Sequence, residues 1–329
     1  MNDVSNSDNS VTTARFLAVI FQTYSFGTVS RARKSCSALI ILYVNTQVFR
    51  CCIYSFFFNV ILRIRRKQKK KPVNDSSRYD LDNPVKINLP GSLDEISGIV
   101  FYPKDSSLFA IKDEAGILYK IFLTKKNMIA EWRFDKKKDF EDLVVHDSVF
   151  YVLISNGDIE TIQFSEGETI QTTLSTFPEE MKSEFESMYY DDSLQQIILV
   201  CKDCNKEANE PVAVWGYNIA TKAYARMDSV INILPVISKK QDKEIKLRPS
   251  AAAINPVTQE LYVLASINKL LIVTDRRGKL IQTYELDPDI YPQPEGMAFT
   301  PWGDLIITNE MVDNVSANIL IMKNKKRKL

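Results

Sequence analysis

Glu95-Ile-Ser-Gly-Ile, Asp139-Phe-Glu-Asp-Leu, Glu184-Phe-Glu-Ser-Met, Arg248-Pro-Ser-Ala-Ala and Gln293-Pro-Glu-Gly-Met are five versions of one pattern, each followed by a β-rich run and a turn. A strand-built unit that recurs every few tens of residues is the signature of a propeller. In that architecture the first strand of every unit lines a central channel, so the quoted motifs also mark where chemistry can sit.

Prolines set the alignment. Tyr102-Pro103, Asn255-Pro256 and Thr300-Pro301 each close an apolar strand and open a tight turn. The third motif position is then Ser97, Glu141, Glu186, Ser250 and Glu295, at spacings of 44, 45, 64 and 45 residues. The long interval holds Ser229 to Lys246, which reads as an inserted loop, with a sixth blade there as the lesser alternative. Second strands follow at Leu108, Phe150, Ile197, Leu261 and Leu305, in β-branched and aromatic runs bounded by turn residues. Third strands follow in four units, and fainter fourth strands at Ile129, Ile170 and Leu280. The sequence therefore predicts an all-β propeller, five four-stranded blades spanning 86–324. The last unit lacks an outer strand, and Val85-Lys-Ile-Asn-Leu is placed to supply it, closing the ring and removing an exposed edge.

Residues i and i+2 of a strand share a face. Position one (Glu95, Asp139, Glu184, Arg248, Gln293) and position three are therefore expected to form two polar rings in the channel. Crowded carboxylates raise one another's pKa or demand a counter-cation, and calcium accepts irregular oxygen coordination. The candidate metal ligands are Glu95, Glu141, Glu186 and Glu295. Further channel or rim candidates are Ser97, Asp113, Glu114, Asp139, Glu184, Asp203, Arg248, Ser250, Asn309 and Glu310, several of which follow second strands at matching blade positions. Arg248 is an alternative neutraliser of the ring, and blade-to-blade bonding is an alternative role for the acids.

Composition narrows the chemistry. Lys and Arg number 42 against 41 Asp and Glu, so no global basic bias points to nucleic acid. The only histidine is His146, which excludes a multi-histidine metal site within one chain; its Val-His-Asp-Ser context reads as a turn. No P-loop, dinucleotide glycine pattern or Gly-x-Ser-x-Gly elbow occurs. Trp132, Trp215 and Trp302 read as packing residues. Among five cysteines, Cys201 and Cys204 form a lone Cys-x-x-Cys, read as a local disulfide because two further zinc ligands and a strand–helix redox context are missing.

The first part of the chain differs. Residues 1–36 are polar and unstructured by composition. Residues 37–62 are apolar, long enough to cross a bilayer, and interrupted by Asn45, Gln47 and Arg50. Residues 63–85 run from a basic cluster, Arg63 to Lys71, into a polar linker, and 325–329 form a basic tail. The basic cluster alone would put the C-terminal domain in the cytoplasm.

The motifs Glu95-Ile-Ser-Gly-Ile-Val-Phe-Tyr-Pro, Phe109-Ala-Ile-Lys-Asp-Glu-Ala-Gly, Asp139-Phe-Glu-Asp-Leu, Arg248-Pro-Ser-Ala-Ala and Gln293-Pro-Glu-Gly-Met-Ala-Phe, in this order, resemble the SdiA-regulated protein family over about residues 86–322. That resemblance implies a bacterial envelope propeller, often membrane-tethered, with a possible bound calcium and no defined biochemical role. Residues 1–80 are expected to be removable without unfolding the propeller. Two functions follow as expectations: an envelope propeller binding a cation and an unknown ligand or protein partner, or a calcium-dependent hydrolase of lactones or phosphoesters.

Overall fold

The computed structural model describes residues 77–123, 129–165, 169–178, 184–202, 204, 212–227, 247–313 and 315–327. The polar start, the apolar segment 37–62, the basic cluster, the insert 229–246 and Asp203 lie outside the described residues. Among the described residues no helix is long and apolar enough to cross a membrane.

Among the described residues, twenty strands form five antiparallel four-stranded sheets. Blade 1 comprises β2 (Ile96–Tyr102), β3 (Ser107–Lys112), β4 (Ala115–Phe122) and β5 (Ile129–Arg133). Blade 2 comprises β6 (Phe140–His146), β7 (Val149–Ile154), β8 (Ile159–Phe164) and β9 (Ile170–Ser175). Blade 3 comprises β10 (Phe185–Asp191), β11 (Gln196–Cys201), β12 (Val214–Asn218) and β13 (Ala223–Met227). Blade 4 comprises β14 (Ala251–Ile254), β15 (Leu261–Ala265), β16 (Leu270–Thr274) and β17 (Leu280–Glu285). Blade 5 comprises β18 (Pro294–Phe299), β19 (Leu305–Asn309), β20 (Asn318–Met322) and, as its outer strand, β1 (Val85–Asn88). β1 pairs antiparallel with β20, Val85 opposite Ile321 and Asn88 opposite Asn318. The ring is thus closed by a strand from the opposite end of the chain.

The second strands are almost wholly apolar because both of their faces are buried. In β11, Ile197, Leu199 and Cys201 pack toward blade 2, while Ile198 and Val200 pack toward blade 4. Five apolar clusters result, one between each pair of neighbouring blades. Every buried Leu, Ile or Val in them contributes roughly 1.5–3 kcal/mol. The innermost strands approach very closely. A Cβ on Gly98 would lie 2.5 Å from the Asp142 Cα, and one on Gly296 would lie 2.5 Å from the Ser97 carbonyl oxygen. Glycine is required at both positions.

Polar bonds stitch blade to blade around the axis. The Ser97 hydroxyl donates to the Glu141 carbonyl at 2.5 Å, and the Ser250 hydroxyl to that of Pro294 at 3.1 Å. The fully buried Asp142 accepts from the Leu143 and Met188 amides, both at 2.7 Å. Farther out, Arg276 of blade 4 pairs with the buried Asp191 of blade 3 at 2.5 Å.

Two expectations need correction. The linker ends sooner than residue 85: Tyr79 is buried in the cluster between blades 4 and 5, donates to the Gly303 carbonyl at 2.6 Å and accepts from Asn255 at 2.7 Å. Removing residues 1–80 would therefore take a core side chain with it. The four-stranded expectation does hold in blade 3, where Ala223-Tyr-Ala-Arg-Met forms the fourth strand despite its mixed composition. Trp302 is 46% exposed, with the Arg327 guanidinium 5.1 Å from its ring centre. Trp132 and Trp215 do pack against aromatic neighbours.

Candidate functional site

The channel has two unlike mouths. Where the first strands end, Ile99, Phe101, Val144, Tyr189, Ile254 and Phe299 line an apolar hollow of about 340 Å³. The starts of the same strands carry the five motifs, and charge is concentrated there.

A β-bulge shapes the charged mouth. In β6 the register jumps between Phe140 and Asp142, in β10 between Phe185 and Ser187, in β18 between Pro294 and Gly296, and in β2 between Ile96 and Ile99. Position three is the extra residue in these blades, and a bulge re-aims the side chain it carries. Positions one and three consequently differ in depth. The side chains of Glu95 and Glu184 are 56% and 52% exposed, whereas that of Glu186 is 12% exposed. Position one forms a rim; position three forms the inner layer.

The inner layer is not a uniform acidic ring. Lys202, directly after β11, pairs with Glu184 at 3.4 Å and contacts Glu186 more closely still. Lys112, at the same point of blade 1, pairs with Glu95 at 3.2 Å. Glu114 pairs with Lys137. Two of the four predicted metal ligands, Glu95 and Glu186, thus hold lysines, leaving Glu141 and Glu295 as the half-buried carboxylates of position three without an ion pair among the described residues. These lysines recur in the sequence as Lys-Asp after the second strand, Lys112-Asp113 and Lys202-Asp203. Reading that pair only for its acid misses the counter-charge.

Around Glu141 the acids are less well compensated. Burial, then Asp139 and Asp113, push Glu141 up to about 9. Burial, a side-chain hydrogen bond to Asp139 and the charges of Asp139, Glu114 and Glu95 push Asp113 up to about 7. Burial, Glu295, Asp113 and Glu95 push Glu310 up to about 8, against the Gln293 amide that donates to it. Burial raises Glu295 also, opposed by Ser266, Lys202, Gln293 and Lys269. Two buried oxygens here, Asp113 Oδ1 and Asn309 Oδ1, have no hydrogen-bond partner.

The opposite side of the mouth is basic. Lys202, Arg248 and Lys269 line a cavity of about 310 Å³ with Glu186, Glu295, Ser250 and Ser266. Cys201 and Cys204 form a disulfide across the turn that carries Lys202. His146 ends β6, remote from Glu141 at its start, and stacks on Tyr190 with ring centres 4.1 Å apart.

The oxygen-only donors and the two unpartnered oxygens suit a hard cation. The geometry is not that of a preformed cage: among the described residues, no three acidic, cysteine or histidine side chains converge closely enough to hold a metal ion. Calcium would have to draw the carboxylates inward.

Among curated proteins none matches the sequence. Solved structures with similar architecture include the glutaminyl cyclase of Myxococcus xanthus, at 12% identity and a TM-score of 0.50, covering 73% of this chain and 96% of that one. Regucalcin from Agrobacterium tumefaciens, a calcium-binding protein, matches at 11% identity and 0.42, over 77% and 97%. A luciferin-regenerating enzyme matches at 11% and 0.45, over 75% and 97%. Such low identities speak to the fold alone. The model of the SdiA-regulated family matches residues 75–312, and the chain belongs to that family.

Proposed function

We propose that the protein is a binding propeller whose acidic half-mouth takes a cation, calcium first among candidates, and presents it to a ligand or partner. The observation that carries this reading is the Asp113–Asp139 carboxyl pair beside Glu141 and Glu310. Three of these four groups are raised into the range from about 7 to about 9. Burial is the largest cause of these shifts and the neighbouring acids add to it, so the site disfavours charge on its carboxyl groups unless a counter-charge enters. A bound cation would replace the protons these groups hold. Asp113, Asp139, Glu141 and Glu310 would hold it, with the Asn309 carbonyl oxygen as a neutral donor.

Calorimetric titration of calcium into the protein, beside Glu141→Gln, Glu310→Gln and the control Glu131→Gln on β5, tests the assignment. Saturable binding lost in the first two and kept in the third supports it. Equal binding in all four would place the ion elsewhere.

A second reading is calcium-dependent hydrolysis of a lactone or phosphoester. It draws on Asp113, because a carboxyl group near 7 exchanges protons efficiently at neutral pH. Turnover of a lactone or phosphoester panel by the calcium-loaded protein, abolished in Asp113→Asn, would favour it. We also place the propeller at the cell envelope, tethered through the apolar residues 37–62. Detergent-dependent extraction from membranes, lost on deleting those residues, is the expected result.

A further inference from the structure

We infer that the basic half of the mouth is a separate subsite for a small organic anion carrying hydroxyl groups. The inference rests on the cavity between blades 3, 4 and 5 and does not require a cation at the acidic half. At about 310 Å³ the cavity has the size of a small-ligand pocket, for which roughly 300 Å³ is the lower end.

Its lining is chemically two-sided. Three cationic side chains enter from two blades: Lys202 from the end of β11 in blade 3, and Arg248, just before β14, with Lys269, in the turn between β15 and β16, from blade 4. They face two carboxylates, Glu186 and Glu295. Lys202 holds Glu186, and the lining as a whole carries three cationic side chains against two carboxylates. Lys269 makes one hydrogen bond, to the Pro292 carbonyl at 2.6 Å, and no ion pair among the described residues. Two of its three N–H donors stay available, and the burial that lowers its pKa makes an anionic partner the group that would restore its charge. Arg248 adds a fork suited to a carboxylate or phosphate.

The remaining lining suits hydroxyl groups. Ser250, Ser266 and Gln293 offer donors and acceptors. Ile267 and Pro292 supply the apolar edge on which a carbon skeleton can rest. A ligand with an anionic end and a hydroxylated body would satisfy both halves; a neutral sugar would offer Lys269 no counter-charge.

Isothermal titration of the full chain in the presence of a chelator, with D-gluconate, glucose 6-phosphate and glucose as probes, separates this subsite from the cation reading. The subsite predicts saturable binding of at least one of the two anions, with glucose at least tenfold weaker. The preferred anion decides between carboxylate and phosphate. Lys269→Gln should weaken the anion at least tenfold and Lys269→Arg should retain it. Arg248→Gln provides a second loss-of-charge variant should Lys269→Gln fail to fold. Absence of saturable anion binding, glucose binding as tightly as the anions, or anion affinity unchanged in both charge-removing variants would each overturn the assignment.

Discussion

Glu141 is raised because burial and two neighbouring acids disfavour its charge, and the sign of the resulting pH effect is fixed. The folded protein keeps a proton that the unfolded chain releases near 4.5, so the native state binds more protons between that pH and about 9. Stability therefore falls as pH rises through this window, and Asp113 and Glu310 add to the slope over their own ranges up to about 7 and about 8. Thermal melts without added cation should show a lower midpoint at pH 9 than at pH 6. Glu141→Gln removes the titrating group and should stabilise the protein at pH 9 by on the order of 1 kcal/mol or more. A flat profile, or a destabilised Gln variant at pH 9, would contradict the protonated-carboxyl assignment. The sequence made the acids at position three visible, since they recur with the repeat. It hid the role of Lys112, Lys202 and Lys269 as counter-charges: the first two recur in Lys-Asp pairs, but the contact each makes with an acid joins different strands, and that of Lys269 with Glu295 joins different blades.

Arg276 illustrates a different use of charge. Burial pushes Asp191 up, but the Arg276 guanidinium and Ser193 outweigh it and hold the carboxyl below its ordinary value. Arg276→Ala strands a buried carboxylate, and losing one partner of such a pair costs about 3–5 kcal/mol. Urea unfolding should register a loss of that order; a change below about 1 kcal/mol would show that water replaces the guanidinium.

Strands β1 and β18 to β20 decide whether the ring closes. Closure by Val85–Asn88 was legible because the last repeat is one strand short and an alternating run precedes the first. Tyr79 was not legible, since a single tyrosine in a polar stretch has no period and its partners, Asn255 and Gly303, are remote in sequence. A protein beginning at Ser77 should unfold cooperatively with the stability of the full propeller. One beginning at Leu89 lacks both the wedge and the closing strand and should lose cooperativity or aggregate through the bare edge of β20. Tyr79→Ala should cost about 3–5 kcal/mol, the usual penalty for removing a buried aromatic. Indistinguishable melts for the two truncations would refute the closure argument. The β-bulges lie at this same scale. Simple alternation puts positions one and three on one face, whereas an extra residue in the first strand separates a rim from an inner layer. No residue type in the motif announces a bulge.

At the scale of the whole molecule, fivefold repetition brings unlike side chains to equivalent places around one axis. The motif gives Ser97, Glu141, Glu186, Ser250 and Glu295 a common position, and the cations gathered around Glu186 and Glu295 but not around Glu141 divide the mouth into an acidic and a basic sector. An unbroken acidic ring would only repel itself. A divided mouth can hold a cation and an anion side by side, which is the property the account rests on. The ring could be read from the sequence; the division could not, because it depends on which carboxylates the neighbouring lysines neutralise.

The most direct test counts protons. Calcium is titrated into the full-length protein by calorimetry at pH 7.5 in two buffers of different ionisation enthalpy, and the difference in heat gives the protons released. The account predicts saturable binding with release of about one proton or more, abolished in Glu141→Gln combined with Asp113→Asn, and tighter binding at pH 8.5 than at 6.5. No saturable binding, or binding with no proton release and no pH dependence, would contradict the claim that the acidic half-mouth holds protons in place of a cation.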